Sequence, residues 1–133
     1  MGELTPSENE WTIMEVVWRS KERITATKII EELSGVLDIS KKTVRVMINR
    51  LVSKGLLDYV VDENDARVYH YFPKRSKEEC LKMKSERFIN NYFGGDRSLA
   101  VANFLKVSDI TEEQIDELRS ILDTLEDSKH KHL

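Results

Sequence analysis

The chain has 133 residues, with 24 Asp and Glu against 21 Lys and Arg, a net charge of -3 and one cysteine, Cys80. That length suits one compact domain, or a small domain with an appendage. The single thiol excludes an intrachain disulfide and a two-cysteine metal site, and points to an intracellular protein.

No apolar run approaches the about 20 residues of a membrane span, and the N-terminus lacks an apolar signal segment, so a soluble, cytoplasmic protein is expected. Because the net charge is mildly acidic, any attraction to a polyanion must come from local segregation of charge.

Ser7 with Glu10 three residues on fits a reciprocal helix cap, and Pro6 sits naturally ahead of it. The stripe Trp11, Met14, Val17, Trp18 follows at helical spacing, and both indoles are assigned to packing because each buries a large apolar area. After the polar link Lys21-Glu22-Arg23, Thr25 is read as the cap of a short second helix that buries Ile29, Ile30 and Leu33. Gly35 ends it.

Ser40 then caps a third helix whose apolar stripe is Val44, Met47, Ile48, Leu51 and Val52, with Gly55 as its stop. Its other face carries Lys41, Lys42, Thr43, Arg45, Asn49 and Arg50, with Lys54 at the end, and no acid falls between Asp38 and Asp58. Cations and short hydrogen-bonding side chains on one exposed face suit a polyanion, with a solvated charged face as the bland alternative. Two helices joined by a short turn, the second bare and basic, make a helix-turn-helix.

Beyond Gly55 the period changes. Residues 56–61 and 68–72 are rich in β-branched and aromatic residues and flank the turn-forming segment 62–67, which predicts a hairpin ended by Pro73. A hairpin after a recognition helix is a wing, with Arg67 near its tip as a candidate phosphate contact or an ordinary loop cation beside three acids.

Ser76 with Glu79 starts a helix carrying Cys80, Leu81, Met83, Phe88, Ile89, Tyr92 and Phe93, which Gly94-Gly95-Asp96 ends. Ser98 is read as the cap of the apolar segment 99–105, and Thr111 with Gln114 as the cap of a last amphipathic helix on Ile115, Leu118, Ile121, Leu122 and Leu125. Asp109 to Asp127 holds eight acids against Arg119 alone, so this end is not built for phosphate. Apolar faces with little to fold around suggest dimerisation through Leu99, Phe104, Leu105, Ile115, Leu118, Ile121, Leu122 and Leu125; a closed three-helix domain is the alternative.

Convergent polar groups for catalysis are sparse, so no enzyme, cofactor or metal is expected. His70 lies in a strand and reads as a surface or packing residue, His130 and His132 lie in the tail, and Cys80 reads as buried filler.

Glu10-Trp11, Met14, Val17-Trp18, then Ser40, Lys42-Thr43, Arg45, Arg50-Leu51 and Lys54-Gly55, resemble in order the penicillinase-repressor family, the BlaI/MecI transcriptional repressors. So do Asn90, Gly94-Gly95, Ser98-Leu99, Asn103-Phe104, Glu117-Leu118 and Ile121-Leu122. The resemblance implies a mainly α protein with a small β-hairpin: a winged helix-turn-helix DNA-binding domain over 1–74 and a helical dimerisation region over 75–133.

It also implies a homodimeric repressor on a dyad DNA operator of TACA/TGTA half-sites, controlling a β-lactamase or resistance gene. Thr43 and Arg45 match base-reading positions; Lys41, Lys42 and Arg50 join them as phosphate contacts by charge and position, with Arg67 a weaker one. Asn103-Phe104 matches the bond cleaved in that family downstream of a membrane β-lactam sensor protease. A sister branch answers to copper through a cysteine-rich tail, a pattern this chain lacks. A winged-helix adaptor for an acidic protein and a metal-responsive repressor are the other functions weighed.

Overall fold

The computed structural model describes residues 5–130; His132 lies outside them. In chain order the elements are α1 (Glu8–Arg19), β1 (Ile24–Thr25), α2 (Ala26–Leu33), α3 (Lys41–Ser53), β2 (Leu57–Val61), β3 (Tyr69–Pro73), α4 (Lys77–Phe93), α5 (Arg97–Val107) and α6 (Glu112–His130). Two compact units are present, dividing between Arg87 and Phe88, within α4.

In the first unit α1 starts as its sequence dictates. Ser7 Oγ accepts the Glu10 amide at 3.3 Å, and Glu10 Oε1 accepts the Ser7 amide at 2.9 Å, so two otherwise orphaned donors are satisfied reciprocally. The buried face of α1 is Ile13, Met14, Val16 and Val17. The two tryptophans flank it half-buried, edge to face at 5.1 Å. They stay at the rim because each indole N–H needs an acceptor: Trp11 donates to Glu15 Oε1 at 3.1 Å and Trp18 to the Arg75 carbonyl at 2.9 Å.

These α1 residues meet Ile24, Ile29, Leu33, Val44, Met47, Ile48, Leu51, Leu56, Leu57, Tyr71 and Cys80 in one core. Each fully buried aliphatic contributes about 1.5–3 kcal/mol, and truncating Ile13 or Leu51 to Ala would cost about 2–5 kcal/mol. Burial pushes the Cys80 thiol up, which keeps it protonated and unreactive.

The hairpin forms as its composition predicts, with Tyr59 opposite Tyr71 and Val61 opposite Tyr69. A third strand was not foreseen. Ile24 and Thr25, read as a helix start, pair with Tyr71 and His70 of β3, giving the antiparallel order β1-β3-β2. Two residues are too short for a period to show, and Thr25 still caps α2 by accepting the Lys28 amide at 3.2 Å.

The second unit contains the end of α4, α5 and α6. Gly94 and Gly95 take positive φ, which only glycine adopts without strain, and the Gly95 amide closes the helix end on the Ile89 carbonyl at 3.1 Å. The cap of α5 corrects the sequence reading: Asp96, not Ser98, accepts the Leu99 amide, at 3.0 Å, because its carboxylate reaches the third amide of a helix that begins at Arg97. Phe104 packs its ring 6.0 Å from Phe88 and 6.1 Å from Phe93. Among the described residues of this unit only Ala100 is buried.

Candidate nucleic-acid interface

Val44, Met47, Ile48 and Leu51 anchor α3 in the core and so fix which side chains face outward. Those are Lys41, Lys42, Thr43, Arg45, Val46, Asn49 and Arg50, all exposed. Ser40 Oγ accepts the Thr43 amide at 3.1 Å and lies 2.9 Å from Thr43 Oγ1, which holds that hydroxyl at the helix start. The first turn also presents free amides and the positive end of the helix dipole, both favourable to an anion.

Lys41, Lys42 and Arg45 form no ion pair with any described residue, so their charge is not neutralised among the described residues. Arg45 lines a cleft of about 370 Å³ together with Asn49, Thr25, Thr27, Tyr69 and Arg67. Residues of α3 and of the hairpin thus converge on one concave, cationic surface.

Arg67 is held by Asp65, its Nε 3.0 Å from Oδ1 and its Nη2 3.2 Å from Oδ2, yet its side chain is 90 % exposed. The Arg67 guanidinium keeps the Asp65 carboxyl below its usual range. At the base of the turn His70 Nε2 lies 2.8 Å from Asp62 Oδ1, which with the amides of Asn64 and Asp65 keeps that carboxyl low too. Tyr59 and Tyr69 stack at 4.3 Å, nearly parallel, and stiffen the ribbon behind them.

The other two cations behave differently. Lys54 Nζ is 2.6 Å from Glu10 Oε1 and 3.1 Å from the Thr5 carbonyl, and Arg50 Nη1 is 3.7 Å from Glu10 Oε2. Sequence reading found Glu10 as half of a cap and as part of the family's first-helix pattern, but not as an ion-pair partner; its contacts with residues 40 and 44 positions away carry no local signal. Val46 was also passed over, though its place outside the apolar stripe marks it: it is 48 % exposed on the cationic face.

The penicillinase repressor family model matches residues 6–124. The chain belongs to the penicillinase repressor family. It is 32% identical to the penicillinase repressor of Staphylococcus aureus over 87% of its own length and 89% of that protein's. With the methicillin resistance regulatory protein MecI of Mammaliicoccus sciuri it shares 34% identity over 87% of this chain and 91% of the relative. The solution structure of the DNA binding domain of the repressor BlaI superposes with a TM-score of 0.50, at 30% identity, over 59% of this chain and 93% of that one. The resemblance read from the sequence, and the winged-helix architecture it implied, therefore hold.

In this penicillinase repressor relative the residues expected at a dimer interface lie in the second unit. Leu99, Phe104, Leu105, Ile115, Ile121, Leu122 and Leu125 are exposed within the single chain, and Leu118 is half-buried. Asn103 is exposed and shares α5 with Phe104, so the peptide between them lies inside a helix. Among the described residues no three His, Cys, Asp or Glu side chains gather to hold a metal, and no helix is long and apolar enough to cross a membrane.

Proposed function

We propose that the chain is a homodimeric repressor that binds a dyad DNA operator of TACA/TGTA half-sites in the cytoplasm and controls a β-lactamase or other resistance gene. The observation that carries this is the exposed, unpaired charge of Lys41, Lys42 and Arg45 on α3, open beside the wing, in a member of a repressor family. Thr43 and Arg45 read base edges, Arg45 suiting the paired acceptors of guanine, and Val46 meets a thymine methyl. Lys41 and Lys42 neutralise phosphates, as does Arg67 once it exchanges Asp65 for the backbone. Residues 1–74 carry the reading surface and 75–133 the pairing of copies.

Dimerisation is supported by α5 and α6. A helix apolar all round is a buried helix, yet α5 exposes Leu99, Val101, Phe104, Leu105 and Val107 in one chain. A unit with one buried residue among those described needs a second copy to cover its leucines. Induction follows by proteolysis at Asn103-Phe104, dependent on a membrane β-lactam sensor protease. The cut separates α6 from the reading surface, and loss of paired binding lowers operator affinity by about 10²- to 10⁴-fold. Mobility shifts of dyad and scrambled duplexes at several salt concentrations test the reading; no sequence-selective band at low salt would sink it.

A further inference from the structure

Glu10 is the one charged residue with no exposed surface among those described, and it lies behind the recognition helix. Its two oxygens are divided. Oε1 takes Lys54 at 2.6 Å and the Ser7 amide at 2.9 Å; Oε2 is buried, has no hydrogen-bond partner, and faces Arg50 Nη1 at 3.7 Å. Burial pushes the Glu10 carboxyl up, but the Lys54 ammonium and the Ser7 amide outweigh it, so the group lies below its usual range and is ionised at neutral pH.

A buried carboxylate without a full set of partners draws nearby cations toward it, since its only relief is their charge. Lys54 is committed: its side chain is 21 % exposed and also donates to Thr5. Arg50, 58 % exposed, is the adjustable partner.

We propose that Glu10 is a positioning residue that sets DNA specificity by taking Arg50 and Lys54 as its counter-ions, which confines the phosphate-neutralising charge of α3 to Lys41 and Lys42 at its start. The inference rests on the reading of α3 as the recognition helix, and it withdraws Arg50 from the phosphate contacts expected from charge alone. Its consequence is economy of non-specific affinity: a helix cationic along its whole length would hold any duplex, whereas one cationic at its first turns depends on the base contacts beside them.

The test uses the full chain and measures affinity for dyad and scrambled duplexes across a salt series, with thermal melting as a separate readout. Lys42→Ala should make the logarithmic salt dependence shallower by about 0.9 per protomer, one phosphate's worth in each half-site, whereas Arg50→Ala should leave it unchanged. Glu10→Gln should steepen it by about 0.9 per protomer on the scrambled duplex and narrow the ratio of dyad to scrambled binding several-fold. Arg50→Ala in the Glu10→Gln background should reverse that steepening.

A purely structural Glu10 would lower the melting temperature and leave the salt dependence alone, which overturns the proposal. So does an Arg50→Ala slope as shallow as that of Lys42→Ala, and this comparison decides the matter even if Glu10→Gln does not fold. If Lys42→Ala itself has no effect, the recognition-helix reading fails and this inference falls with it.

Discussion

Trp18 donates its indole hydrogen to the carbonyl of Arg75 at 2.9 Å, 57 residues away, and thereby ties the last turn of α1 to the segment leading into α4. Beside it Lys77 Nζ lies 2.9 Å from Glu15 Oε1, and Cys80 is fully buried. The first turn of α4 is therefore part of the winged-helix core. Trp18→Phe keeps most of the packing and removes the hydrogen bond, at a cost of about 1 kcal/mol. Urea denaturation should show a lower midpoint with an unchanged slope; an unchanged midpoint would mean the bond contributes nothing.

Acid should unfold the protein partly through Glu10. Its folded-state pKa lies below the ordinary 4.5, so in the window between the two the unfolded chain binds more protons. Stability from this group is thus fully present above 4.5 and is lost as pH falls through the lower folded value. Denaturation from pH 7 to 3 should show a steeper loss for wild type than for Glu10→Gln, and parallel curves would refute the linkage.

Pairing of two copies through α6 predicts that Leu122→Asp, at a side chain 62 % exposed in the single chain, leaves the fold intact and yields monomers. Light scattering should report half the mass, circular dichroism an unchanged spectrum, and mobility shifts about 10²- to 10⁴-fold weaker dyad binding. A variant that remains dimeric would move the interface elsewhere.

The bond between Asn103 and Phe104 lies within α5, so a protease must open that helix to take an extended strand into its site. Asn103 is exposed, whereas Phe104 touches Phe88 and Phe93, which makes Asn103→Ala the cleaner substitution. Operator binding should survive it while derepression by a β-lactam is blocked. Normal induction of that variant would place the regulatory cut at another bond.

The helices and the hairpin of this protein were legible in its sequence because each is specified locally. Ser7 with Glu10, Ser40 with Thr43 and Thr111 with Gln114 cap helices from within three residues, and the apolar stripe of α3 marks its buried side by period alone. The bare basic face of α3 was visible for the same reason.

Only tertiary structure decided which of those cations remain available. Glu10 meets Lys54 and Arg50 because α1 packs on α3, and Ile24-Thr25 becomes a strand because β3 runs past it. Such pairings join residues tens of positions apart, and neither period nor propensity carries information about a partner that far away. A charge is a property of a residue, whereas its neutralisation is a property of the fold.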